Sequence, residues 1–410
     1  MILLAEALPS TESSAIVSLC WIAGAAVLAP VISRLVRGAV PGVVLLLLFG
    51  VALGPNALGW AGTEGGVELL SELGLGMLFL LAGYELDPRL LGGRSGRTAW
   101  LTWLAGLVFA FGLVSLAASD TDFAARIAVA IAMTSTALGT LLPIVKQDGL
   151  LDKPLGRAVL AHGAVGELGP VVAMSVLLTS RNVGASVLVL VLFAVAAGLI
   201  GLVPQRMLDR LPAFGRLLDK TNGGADQLPV RGVLLLLLLL MMVADEFDLD
   251  VVLGAFAAGL ILRRLMAAGH PAVESSLEAI GFGMLIPIFF VVSGMGIDIG
   301  AVASEPLLWV LFVAFIALAR GLPVWLSERY IPHGANLTST RERTELALYA
   351  ATGLPIIVAV TQVATSSGLL TEDLASTLVA AGATTVLIFP FLARLLHRDE
   401  SQEPSSSAKP

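Results

Sequence analysis

Of the 410 residues, 57% are apolar and 13% charged, and the mean hydropathy is +0.92; soluble domains carry about a quarter charged residues, so a water-facing surface is excluded and the chain is an integral membrane protein. The formal charge of -7 comes mostly from acids in short loops and at the ends, so it points to no basic partner and leaves no footprint for nucleic acid. A single cysteine, Cys20, excludes an internal disulfide and a cysteine metal site, and is expected to be a small core residue.

In chain order, "MILLAEALPSTESS" has no basic n-region and is expected to be retained, with residues 1-12 extracytoplasmic. Thirteen apolar spans follow, at 13-33, 40-58, 67-86, 98-117, 123-145, 155-178, 184-204, 230-247, 250-265, 280-300, 306-328, 343-366 and 373-396. At about 1.5 Å rise per residue each is read as a crossing, counting those broken by Gly or Pro. The basic residues of the connecting segments fall on one side: Arg34 and Arg37; Arg89, Arg94 and Arg97; Lys146, Lys153 and Arg157; Arg206 through Arg231; Arg263 and Arg264; Arg329 through Arg343; and the tail. With Arg320 set aside as intramembrane, only Arg126 and Arg181 fall opposite. This bias predicts a multi-pass cell-membrane protein, plasma or inner, with its N-terminus outside and its C-terminus cytoplasmic.

The spans repeat. Span three, "LGLGMLFLLAGYELD", sets out Gly74, Gly76, Met77, Gly83 and Asp87, and span ten, "IGFGMLIPIFFVVSGMGID", sets out Gly281, Gly283, Met284, Gly294 and Asp298. Spans two and nine form a weaker pair at the same offset. Seven is odd, so the two copies cross in opposite directions, as in inverted-topology transporters. The expected fold is all-α, with a first six-helix repeat at 13-178, a linker helix at 184-204 and a cytoplasmic loop at 205-229. A second, inverted six-helix repeat at 230-396 and a short disordered cytoplasmic tail at 397-410 complete it.

Inverted repeats hold ligands between broken helices near the midplane, where helix ends and freed backbone groups face the ion. Span five contains "AMTSTALGTLLP", with Thr134, Ser135 and Thr136 ahead of Gly139 and Pro143; span twelve contains "LYAATGLPIIVAV", with Thr352, Gly353 and Pro355. Both place hydroxyls before helix breakers at equivalent positions of the plan. In span six, Glu167 lies about 12 residues, or about 18 Å, from each end, too deep to reach water along its own side chain. A mid-span acid costs about 2.5 to 3.5 kcal/mol on insertion scales for comparable residues, which marks it as a functional candidate. Arg320 in span eleven either reaches inward to it or snorkels outward; a salt bridge that merely fixes helix register is the structural alternative. His162, off the Glu167 face, and Gly166 are read as lining. Asp245, Glu246, Asp248 and Asp250, like Glu85 and Asp87, are read as solvated turns.

"PGVVLLLLFGVALGP", "LGMLFLLAGYELD", "VVLGAFAAGLIL" and "IPIFFVVSGMGIDI", in this order, resemble monovalent cation:proton antiporters, in particular the Kef-like sodium/potassium:proton exchanger branch, over about residues 13 to 396. The resemblance implies thirteen helices in a dimerisation domain and a six-helix core. It also implies crossed broken helices at Thr134 to Thr136 and Thr352 to Pro355, an ion-binding acid at Glu167 and a basic partner at Arg320. Where that family often has two adjacent polar residues in span six, this chain has Gly166 then Glu167; span twelve lacks the family's Gly-Glu; and nucleotide gating through a regulatory domain is not expected from the short tail.

The expected activity is therefore exchange of Na+ or K+ for H+ by alternating access, with Glu167 taking either the proton or the monovalent cation and no cofactor. Guanidinium keeps its proton in proteins, so one carboxylate implies electroneutral 1:1 exchange. A homodimer is expected, with small residues such as Gly254 and Gly259 permitting close helix packing. Other solute transport on this fold, notably of an organic anion held by Arg320, and a Kef-like cation efflux channel are the alternatives. An enzyme is not expected, since no second deep carboxylate, Ser/Lys dyad or metal triad accompanies Glu167.

Overall fold

The computed structural model describes residues 11-36, 40-177, 188-199, 228-266, 271-331, 337 and 339-400. The expected N-terminal segment up to residue 10, the loop through residue 227 and the tail beyond residue 400 lie outside them. The described residues form helices and no strand. In order these are α1 (Thr11–Leu35), α2 (Gly42–Leu53), α3 (Gly66–Glu85), α4 (Gly93–Ala117), α5 (Phe123–Met133), α6 (Leu138–Gln147) and α7 (Pro154–Leu177). Then come α8 (Leu188–Leu199), α9 (Leu228–Glu246), α10 (Val251–Leu265), α11 (Pro271–Ile280), α12 (Ile286–Met295) and α13 (Ile299–Ser304). The last are α14 (Pro306–Ile316), α15 (Leu322–Tyr330), α16 (Thr340–Ala350), α17 (Leu354–Ser366) and α18 (Glu372–Glu400).

Ten helical segments among the described residues are long and apolar enough to cross a membrane. The other three expected spans hold the shorter helices α2, α8 and α10. With 12 residues, α2 stops well short of its expected end at 58. Gly54 and Pro55 end it, and the Leu53 carbonyl accepts instead from the N–H groups of Trp60 (3.0 Å) and Ala61 (3.1 Å), folding the chain back. Cys20 is exposed rather than a core residue, on a face of α1 that the isolated chain leaves uncovered.

Two π turns interrupt the later spans, Gly281–Leu285 between α11 and α12 and Ala317–Gly321 between α14 and α15. Each has the same cause. Pro287 and Pro323 have no N–H for the carbonyl four residues back, and the residue before each, Ile286 or Leu322, donates five back to Gly281 or Ala317.

The chain divides into two compact units, residues 1-38, 45-86 and 175-296, and residues 39-44, 87-174 and 297-410. The boundaries fall at matching points of the repeat, after Leu86 and after Gly296. At both points the repeated aspartate does the same work: Asp87 Oδ1 accepts the N–H of Arg89 (2.9 Å) and Asp298 Oδ1 that of Gly300 (2.7 Å), each starting a short helical turn.

Within the first unit the repeat is also visible in how helices touch. A methyl on Gly83 of α3 would overlap the Phe256 carbonyl of α10, and one on Gly259 would overlap the Leu80 carbonyl in return. Likewise a methyl on Gly50 of α2 would overlap the Val291 carbonyl of α12, and one on Gly294 the Leu47 carbonyl. Spans three and nine therefore meet as spans ten and two do, through paired glycines at backbone contact, the packing that substitutes for a hydrophobic drive inside lipid. In the second unit, Leu141, Val145, Val159, Val324, Leu346 and Ala350 bind α6, α7, α15 and α16 into one apolar core.

Candidate ion site at the helix breaks

Both expected breaks are present, and they meet. α5 ends at Met133 and α6 begins at Leu138; α16 ends at Ala350 and α17 begins at Leu354. A helix end leaves carbonyls and N–H groups without intrahelical partners, and burying them requires substitutes. Here each break serves the other. The Thr136 hydroxyl donates to the Ala350 carbonyl (2.6 Å) and the Ala137 N–H to the Thr352 carbonyl (2.6 Å), while the single hydrogen of the Ser135 hydroxyl is shared between the Gly353 carbonyl (3.0 Å) and that of Ala132 in its own helix (2.8 Å). Gly353 is required at this crossing, because a methyl there would stand 2.5 Å from the Ser135 carbonyl oxygen.

Span six joins the crossing through a proline. Pro170, inside α7, supplies no N–H to the carbonyl of Gly166, four residues earlier, and that carbonyl accepts the N–H of Thr136 (2.9 Å) instead. The break of α5 is thus tied to α7 one residue before Glu167, which is itself 6% exposed.

Arg320, 1% exposed, arrives from the π turn between α14 and α15. Its Nε donates to Thr136 Oγ1 (3.0 Å) and its Nη2 to the His162 carbonyl, while Nη1 is buried with no acceptor. A side chain at Gly166 would overlap the Thr136 hydroxyl and crowd Nη2 of Arg320. Gly166 is therefore more than lining. The absence of a polar residue there makes room for the guanidinium, which enters from a different span.

Of the residues named from sequence, Ser135, Thr136, Thr352, Gly353, Gly166 and Arg320 are brought together with the backbone of His162. The hydroxyl of Thr134 turns back onto its own helix, to the carbonyls of Ala130 (3.1 Å) and Ile131 (3.0 Å), and that of Thr352 onto Leu348 (3.0 Å). Each of these hydroxyls spends its single hydrogen on a carbonyl of its own helix.

Buried ionisable side chains of α15 and α16 were not legible as such. Glu328 of α15 pairs with His162, Nε2 to Oε1 at 3.5 Å, with both side chains 3% exposed. Glu345 of α16 is also buried. In sequence, "WLSERY" and "RERTELALY" read as polar ends of spans, and no period separates a buried acid there from a solvated one.

The family model described as "Sodium/hydrogen exchanger, transmembrane" matches residues 23–396. A putative Na(+)/H(+) antiporter of Bacillus subtilis, YjbQ, is 24% identical across 95% of this chain and 64% of its own length. A glutathione-regulated potassium-efflux system protein, KefC, of an Enterobacter species is 26% identical across 93% of this chain and 60% of its own. The chain thus spans about three-fifths of the length of these relatives. The sodium proton antiporter MjNhaP1 of Methanocaldococcus jannaschii, solved at pH 8, has the same fold, with a TM-score of 0.66 over 95% of this chain and 99% of that one at 18% identity. With its repeat, its crossed breaks and a match of this extent, the chain belongs to the transmembrane sodium/hydrogen exchanger family.

Proposed function

We propose that the chain exchanges a monovalent cation, Na+ or K+, for H+ across the cell membrane, one for one, by alternating access around Glu167. The observation that carries this reading is the seating of Arg320 against Gly166, beside a buried acid and at the meeting point of two broken helices. A carboxyl in so dry a place holds a proton or a hard cation, and the cation's lost water is replaced by oxygens of the Ser135, Thr134 and Thr352 kind. Occupancy by one excludes the other, which couples the two fluxes.

Arg320 supplies a positive charge beside the site, and on this reading the proton of the cycle is the one that Glu167 carries. Its Nη1 is buried without an acceptor, so the guanidinium keeps one donor uncommitted at this crossing. The family match and the Na(+)/H(+) and potassium-efflux relatives support the ion class. The basic loops support an outer N-terminus and a cytoplasmic C-terminus.

The test is a pH-gradient assay in proteoliposomes, adding Na+, K+ or Li+ in turn to wild type and Glu167→Gln. Wild type collapses the gradient with at least one cation, at a rate an imposed voltage leaves unchanged; Glu167→Gln does not respond. Cation-coupled proton flux retained in Glu167→Gln moves the site elsewhere, and a strong voltage dependence rejects 1:1 exchange.

A further inference from the structure

We propose that Glu328, acting through His162, is a positioning residue for Arg320. This rests on the exchange reading above only for its transport readout. Arg320 and Glu328 belong to one helical run, Pro306–Tyr330, separated by eight residues, or about 12 Å of rise. Both hold the same residue of α7. Arg320 takes the backbone carbonyl of His162 through Nη2, and Glu328 takes its ring through Nε2 at 3.5 Å.

The second grip has a physical reason. Arg320 sits inside the π turn Ala317–Gly321, where Pro323 removes an ordinary helical bond, so the backbone that carries the guanidinium is not fixed by regular α-helical hydrogen bonding. The seat itself is narrow, between Thr136 Oγ1 and the bare face of Gly166. A slip of span eleven along α7 by one residue, about 1.5 Å, would break both bonds of the guanidinium. The pair of Glu328 and His162 fixes that register from the far side of the π turn.

Stability alone does not account for the pair. A buried His/Glu contact seldom adds net stability over apolar residues of similar size, and its best-attested use is to select one register. Both partners are buried to 3% exposure in the same unit as the site.

The experiment is a double-mutant cycle with two readouts. Glu328→Gln is isosteric and keeps the chain folded, and Glu328→Ala and His162→Ala remove the contact while leaving the His162 carbonyl in place. In proteoliposomes, Glu328→Ala and His162→Ala each shift the apparent cation KM at least about threefold, in the direction produced by Arg320→Gln, with a smaller change in maximal rate. Their double variant is no worse than either alone, Glu328→Gln is intermediate, and none adds to Arg320→Gln.

In detergent, thermal midpoints of wild type, Glu328→Gln, Arg320→Gln and the double variant are non-additive in the same sense. That readout stands even if no cation drives proton flux, so failure of the exchange reading and failure of this one are told apart. Additive midpoints, or an equal loss of maximal rate in both Arg320 backgrounds with KM unchanged, would reduce Glu328 to a local packing role and overturn the proposal.

Discussion

The two units use the same repeat in opposite ways. In the first, spans from the two copies meet through bare glycine, Gly83 with Gly259 and Gly50 with Gly294, and backbone lies directly on backbone. In the second, spans five and twelve, equivalent to each other in the repeat, both break, and the exposed helix ends are filled by hydroxyls, by a proline-freed carbonyl and by a buried guanidinium. The difference is one of rigidity against chemistry. Glycine crossings leave no polar group open, whereas crossed breaks gather polar groups in a place from which lipid excludes water.

Substitutions sharpen that contrast. The largest effect on folding is expected in the first unit: Gly83→Leu or Gly259→Leu forces a side chain into a backbone carbonyl, and overpacking of this kind costs about 1 to 3 kcal/mol or more. Unfolding of the purified protein in detergent measures it, and an unchanged midpoint would remove the close crossing.

Thr136→Val comes next. It deletes a hydroxyl that donates to Ala350 and accepts from Arg320, leaving a buried carbonyl and a guanidinium N–H unfilled, at about 1 to 3 kcal/mol for each group. Exchange is expected to fall much further than stability, whereas Gly83→Ala lowers stability with little change in the ion dependence of the remaining activity. Equal losses in both assays would erase the distinction between the units.

The smallest effect tests the repeat itself. Asp87→Ala and Asp298→Ala remove equivalent caps, each worth about 0.5 to 2 kcal/mol, and their midpoints should drop by similar amounts. A large disparity would count against the two boundaries being equivalent.

Much of this was legible from sequence for identifiable reasons. Hydropathy found the ten long apolar segments because lipid demands apolar faces, and Gly83, Gly294, Asp87 and Asp298 disclosed the repeat because close approach and capping admit few residue types. The breaks were legible because Thr134 to Thr136 and Thr352 to Pro355 set hydroxyls before helix breakers. Partnership was harder to read. That Pro170 frees the Gly166 carbonyl for Thr136, or that Arg320 fills the space left by Gly166, depends on which helices meet. Glu328 was hidden for the same reason, since a polar residue near a span end reads as solvated until a partner from another span covers it.

If a single carboxyl is taken by either a proton or a cation, binding of the cation must release the proton. Na+ or K+ is titrated into the purified protein in weakly buffered detergent solution near neutral pH, and liberated H+ is counted against bound cation. Close to one proton per cation is expected for wild type and none for Glu167→Gln. Cation binding without proton release, or release that survives in Glu167→Gln, would contradict it.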